Sequence, residues 1–132
     1  MDVRNIEKDT KNNKKYRRTV HTIKNKFELV LMCINPNENM PWQWLNEVHF
    51  IRIEEGQGLM TIHNDHFKVK KGFSVTIEPQ TIHALQNTSK TKPLKLYSIY
   101  TRPLANRLFP AIENRQLSCG FESKHGSENV KK

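Results

Sequence analysis

Apolar residues in this chain come in short runs separated by turn-forming residues, and no stretch sustains the spacing of an amphipathic helix. The run Phe27-Glu28-Leu29-Val30-Leu31-Met32-Cys33-Ile34 is almost continuously apolar, as a strand covered on both faces would be. Asn35-Pro36-Asn37-Glu38-Asn39 breaks it with turn residues. Residues 47–54 read as a strand, Gly56-Gln57-Gly58 as a turn, and residues 59–63 as the returning arm of a hairpin. A second turn at Asn64-Asp65 leads into Phe67-Lys68-Val69, and Lys71-Gly72 turns the chain into the run from Phe73 to Ile77. Further strands are expected over 81–87 and 94–101, and Tyr16 to Ile23 supplies an opening one. About eight short strands at close spacing predict an all-β sandwich or barrel.

Length and the distribution of polarity then set the organisation. A chain of 132 residues has room for one domain. Its apolar residues concentrate between Phe27 and Tyr100, which predicts a flexible basic N-terminal arm over 1–13, a β-barrel over 14–103 and a partly disordered extension over 104–132. Leu104 to Leu108 is expected to add one helical turn. The net charge of +9 favours polyanionic partners; its densest run, Lys11 to Arg18, reads first as a solvated surface and secondly as a contact for nucleic acid or an acidic protein. Cys33 is expected to be buried and Cys119 to lie in the polar tail, with no disulfide framework or zinc motif. No apolar run reaches the ~20 residues that span a bilayer and no hydrophobic signal core opens the chain, so a cytoplasmic location is expected.

Several segments in order carry a family likeness. His49-Phe50-Ile51-Arg52-Ile53-Glu54-Glu55-Gly56-Gln57-Gly58 resembles the first cupin motif. Gly72, Glu78-Pro79-Gln80-Thr81-Ile82-His83 and Asn87-Thr88 resemble the second. Pro93 to Tyr100 and Glu28 to Met32 are similar to small cupins related to mannose-6-phosphate isomerase, so that the likeness covers roughly Lys14 to Pro103. The resemblance implies a double-stranded β-helix, the jelly-roll barrel, enclosing a divalent metal such as Mn, Fe, Ni or Zn on three imidazoles and one oxygen ligand. It also implies a homodimer. Carried over residue by residue, the second-motif histidine falls on His83, and the oxygen-ligand position is filled by His49. The two leading histidines should lie within Trp42-Gln43-Trp44-Leu45, where none is found. Glu78 stands where a proline is usual, and Gln80 where a glycine is usual.

Strand alternation puts His49, Ile51 and Ile53 on one face, and Thr81, His83, Leu85 and Asn87 on one face of another strand. In the barrel that the resemblance implies, both sets point inward and the two imidazoles converge. The expected pocket comprises Trp42, Gln43, Trp44, His49, Ile51, His83, Leu85 and Tyr97. Three readings stay open: a metal held by His49 and His83 with substitutes such as Gln43 or Glu47, a metal-free pocket for a sugar, sugar phosphate or other small polar molecule, and a filled barrel. His49 and His83 are the candidate catalytic groups for an isomerase- or epimerase-like proton transfer. The alternative in another class is a non-catalytic interaction module, a homodimer whose basic arm contacts nucleic acid or an acidic partner. His63 and His66 flank a turn, Glu54 and Glu55 are expected to be solvated, and of Tyr97 and Tyr100 only one can face the interior.

Overall fold

The computed structural model describes residues 1–101; the expectations for 104–132, including the helical turn and Cys119, lie outside the described residues. A short helix α1 (Ile6–Asn12) precedes nine strands: β1 (Arg17–Ile23), β2 (Phe27–Ile34), β3 (Asn39–Gln43), β4 (His49–Glu55), β5 (Gln57–Ile62), β6 (Asp65–Lys70), β7 (Ser74–Ile77), β8 (His83–Asn87) and β9 (Leu94–Thr101). They form a five-stranded sheet in the order β1-β2-β9-β4-β7 and a four-stranded sheet in the order β3-β8-β5-β6. The pairings are antiparallel throughout. This is the expected jelly-roll barrel.

The period-two pattern of each strand decides what lies between the sheets. From the larger sheet come Val30, Met32, Ile34, Ile51, Ile53, Leu94, Leu96 and Tyr100; from the smaller come Met40, Met60, Val69 and Leu85. Each aliphatic side chain removed from water here is worth roughly 1.5–3 kcal/mol.

The Gly56 turn does not make a hairpin. β4 pairs with β7 and β9, whereas β5 pairs with β6 and β8, so the chain changes sheets at this corner. Gly56 has φ +98°, and a Cβ on it would lie 2.5 Å from the Pro93 carbonyl oxygen. Only glycine fits both demands. The chain makes a hairpin instead at the next turn, β5–β6, which reverses at His63, whose φ is +55°.

β3 had no counterpart in the sequence reading, because Pro41 and the polar residues before it mark a loop. The strand exists at a sheet edge, with its register shifted between Met40 and Gln43, which is where a proline is tolerated.

The N-terminal segment is not a flexible arm. Asn5 caps α1 by accepting from the Lys8 amide at 3.0 Å, and Arg4 reaches the Val20 carbonyl of β1 at 3.2 Å. Thr10 and Asn13 are buried. The Lys95 ammonium, itself buried on β9, donates to the Lys11 carbonyl in the last helical turn at 2.6 Å. That bond meets the negative end of the helix with a cation. Cys33 is buried as expected. No helix among the described residues is long and apolar enough to cross a membrane.

Candidate functional site

At one end of the interior the apolar packing gives way to polar side chains. His49 opens β4 and His83 opens β8, one strand from each sheet, and both are buried. His49 Nδ1 lies 3.2 Å from His83 Nε2, and His83 Nδ1 lies 2.8 Å from the Thr81 carbonyl oxygen. A carbonyl can only accept, so neutral His83 carries its proton on Nδ1. Its Nε2 is then the acceptor, and His49 Nδ1–H donates to it. Burial pushes the His83 pKa below its ordinary value, and the bond to Thr81 opposes this in part.

Tyr100 of β9 pairs with His49 in the register and stacks on its ring, with centroids 4.2 Å apart and planes 18° apart. The Arg17 guanidinium of β1 stands over the Tyr100 ring at 5.9 Å, and its Nη2 is 3.8 Å from Glu28. Strand order places Tyr100 between Arg17 and His49. Gln43 is paired in register with His83, and Ser98 sits one inward position from Tyr100. Among the described residues, Gln43 Oε1 and Ser98 Oγ are buried without a protein hydrogen-bond partner.

Of the expected pocket residues, Gln43, His49, Ile51, His83 and Leu85 are buried. Trp42 and Trp44 are not: they are 53% and 49% exposed, on the opposite face of β3 from Gln43. Tyr97 also points outward, packing against Phe50 at a centroid distance of 6.4 Å, because the inward parity of β9 belongs to Leu94, Leu96, Ser98 and Tyr100. Glu54 is buried rather than solvated, since the register slips between Ile53 and Glu55 and breaks the alternation. His66 bonds to Thr61 Oγ1 at 3.0 Å beside the hairpin turn, away from the pair. Tyr100, weighed against Tyr97 for the one inward place, takes it, whereas Arg17, Glu28 and Ser98 had not been singled out for the site. The parity of Ser98 and Tyr100 with Leu94 and Leu96 was the available signal for those two.

The interior, as the described residues line it, does not fit a resident divalent metal. Among the described residues no group of three or more His, Cys, Asp or Glu side chains is placed to hold one. His49 and His83 supply two nitrogens where a firm site needs three or four protein ligands, and those two nitrogens face each other at hydrogen-bonding distance. Glu47, at the expected substitute position, is buried before β4 and belongs to no such group.

Comparison with known proteins follows the same outline. A family model described as "Cupin domain" matches residues 30–100, more than half of the chain. An uncharacterized protein of Acanthamoeba polyphaga mimivirus is 36% identical over 102 residues, 74% of this chain and 62% of that one. The uncharacterized protein YrkC of Bacillus subtilis is 33% identical over 106 residues, 75% of this chain and 56% of that one. The chain therefore spans less than two thirds of either relative. The crystal structure of BH2720 from Bacillus halodurans superposes with a TM-score of 0.74 at 29% identity, covering 89% of this chain and 87% of that one.

Proposed function

The chain belongs to the cupin family, and we propose that it binds a small polar molecule, of the sugar or sugar-phosphate class, at the inner face of its barrel above His49 and His83, without a resident metal. One observation carries this reading: the buried Gln43 Oε1 and Ser98 Oγ find no protein partner among the described residues, at the end of the interior that holds the imidazole pair. Buried polar atoms are nearly always satisfied, and a polar guest satisfies them where the protein does not. Arg17, over the outer ring of the stack, adds a guanidinium suited to an anionic substituent. The pair is also where an isomerase- or epimerase-like proton transfer would be carried, His49 taking a proton from the carbon beside a carbonyl and returning it.

The reading as a homodimeric interaction module acting through a basic arm has less support. Lys11 is engaged by Glu7 at 2.8 Å, and Arg17 faces the barrel interior over Tyr100.

Thermal melting against a panel of sugars and sugar phosphates tests the proposal. A true ligand at about 100 times its Kd raises Tm by roughly 10 °C. The rise disappears in His83→Ala and in Gln43→Leu. No shift across the panel overturns the sugar assignment. One metal per chain in elemental analysis, lost in His83→Ala, overturns the metal-free part.

A further inference from the structure

The outward face of the four-stranded sheet has a composition of its own. Strand alternation and the burial pattern place Asn39 and Trp42 of β3, Ala84 and Gln86 of β8, Gln57, Leu59 and Thr61 of β5, and His66, Lys68 and Lys70 of β6 away from the core. Trp44 follows β3 and Ile82 precedes β8; since Gln43 pairs with His83, these two stand at opposing positions. Trp42, Trp44 and Ile82 are exposed by 53%, 49% and 41%. No Asp or Glu occupies an outward position on these four strands: Asp65 shares the parity of Phe67 and Val69, and Val69 is in the core. Helix α1 packs on the other sheet, against β9, β4 and β2.

This face joins a stacking edge to a cationic edge. Two indoles and an isoleucine line the β3 side, and His66, Lys68 and Lys70 line the β6 side, three strand spacings or about 14 Å away. Ala84, Thr61 and His66 fall in one row across the sheet, with Trp42 in the β3 bulge beside it, and Asn39, Gln86, Leu59 and Lys68 in the next. Exposed aromatic rings accept bases of any sequence on their faces, and lysines beside them neutralise phosphates. A chain of net charge +9 also attracts polyanions at long range. We infer that this open sheet face binds single-stranded nucleic acid, with bases stacked on Trp42 and Trp44 and the phosphate backbone running toward Lys68 and Lys70. The site is separate from the barrel interior and from the N-terminal Lys11 to Arg18 run.

Fluorescence anisotropy with labelled dT12 and U12 oligonucleotides, on the full chain at rising salt, tests the inference. Saturable binding of either oligonucleotide is expected, with quenching of tryptophan emission; preference for dT12 or U12 distinguishes a DNA from an RNA ligand. The double variant W42A/W44A weakens binding at least tenfold and leaves the melting temperature near that of the parent. The double variant K68E/K70E weakens it similarly and lowers the slope of log K against log salt by roughly 1.4, at about 0.7 per phosphate contact on a single strand. Charge reversal in the N-terminal run, K14E/K15E, has a small effect. The inference is overturned if neither oligonucleotide binds, or if K14E/K15E abolishes binding while W42A/W44A does not. It is also overturned if light scattering shows the tryptophan edge buried in a dimer that W42A/W44A dissociates.

Discussion

Asn87 and Gln43 are both buried amides in the smaller sheet, at opposite ends of the interior, and they are treated differently. Asn87 Nδ2 donates to the carbonyls of Ile34 and Lys92, each at 2.9 Å, and its Oδ1 accepts from the Ser89 amide at 2.8 Å. It ties β2 and the 88–93 loop to β8 and leaves no side-chain hydrogen-bonding atom idle. Gln43 leaves its Oε1 buried and unmet, near the coupled imidazoles. One end of the barrel is thus closed by its own hydrogen bonds, whereas the other leaves Gln43 Oε1 unmet among the described residues. A satisfied buried group is evidence of architecture. An unsatisfied one costs stability, and its retention points to use.

Substitutions can break or sharpen that contrast. The largest effect is expected at the closed end, where Gly56 packs on Pro93: Gly56→Ala meets the carbonyl at 2.5 Å in a left-handed backbone and should cost more than about 4 kcal/mol, read as loss of the cooperative melting transition. Gly72, at φ +92° with open space around it, is the control, and Gly72→Ala should cost only about 1 kcal/mol. Next comes Asn87→Ala, which strands two carbonyls and one amide and should cost about 2–4 kcal/mol in urea unfolding. Gln43→Leu should stay within about 1 kcal/mol of the parent, because no protein acceptor or donor is lost at Oε1, while ligand response vanishes. Equal losses at positions 87 and 43 would erase the distinction between the two ends.

The imidazole end should also respond to acid. His83 keeps a pKa below its ordinary 6.5 because it is buried. As pH falls below 6.5, the unfolded chain takes up a proton that the folded chain refuses, so stability declines until the folded pKa is reached and then levels off. Urea midpoints from pH 8 to pH 5 should show this decline, and His83→Gln should flatten it. The smallest effect is expected at Gln80, which holds φ +62°, the left-handed conformation that glycine adopts without strain, at the position where the family resemblance leads one to expect glycine. Gln80→Gly should stabilise by about 0.5–1 kcal/mol, after the added entropy of the unfolded glycine offsets part of the relieved strain.

Much of this fold was legible because strand periodicity is a local property. β2 occupies the apolar run from Phe27 to Ile34 end to end, and the alternation around His49 and His83 put both rings on inward faces once the barrel was assumed. Long-range choices were not legible. A glycine corner reads the same whether the chain folds back as a hairpin or crosses to the other sheet, which is why Gly56 misled. Tyr97 and Tyr100 are told apart by the parity they share or do not share with Leu94 and Leu96, and the register of β9 against β4 fixes which parity faces His49. Trp42 sits on, and Trp44 just after, a bulged edge strand that Pro41 concealed, so their outward direction had no signature. Arg17 joined the site from β1, far away in the sequence, through two intervening strand pairings.

The bond from Lys95 to the Lys11 carbonyl has a practical meaning for anyone trimming this protein. Removing the first dozen residues would take away a charge-bearing ammonium's acceptor in the protein interior and uncover the ninth strand beneath it. Limited proteolysis before Tyr16 should therefore be slow in the native state, and a shortened chain should melt earlier rather than behave as a tidier version of the same domain.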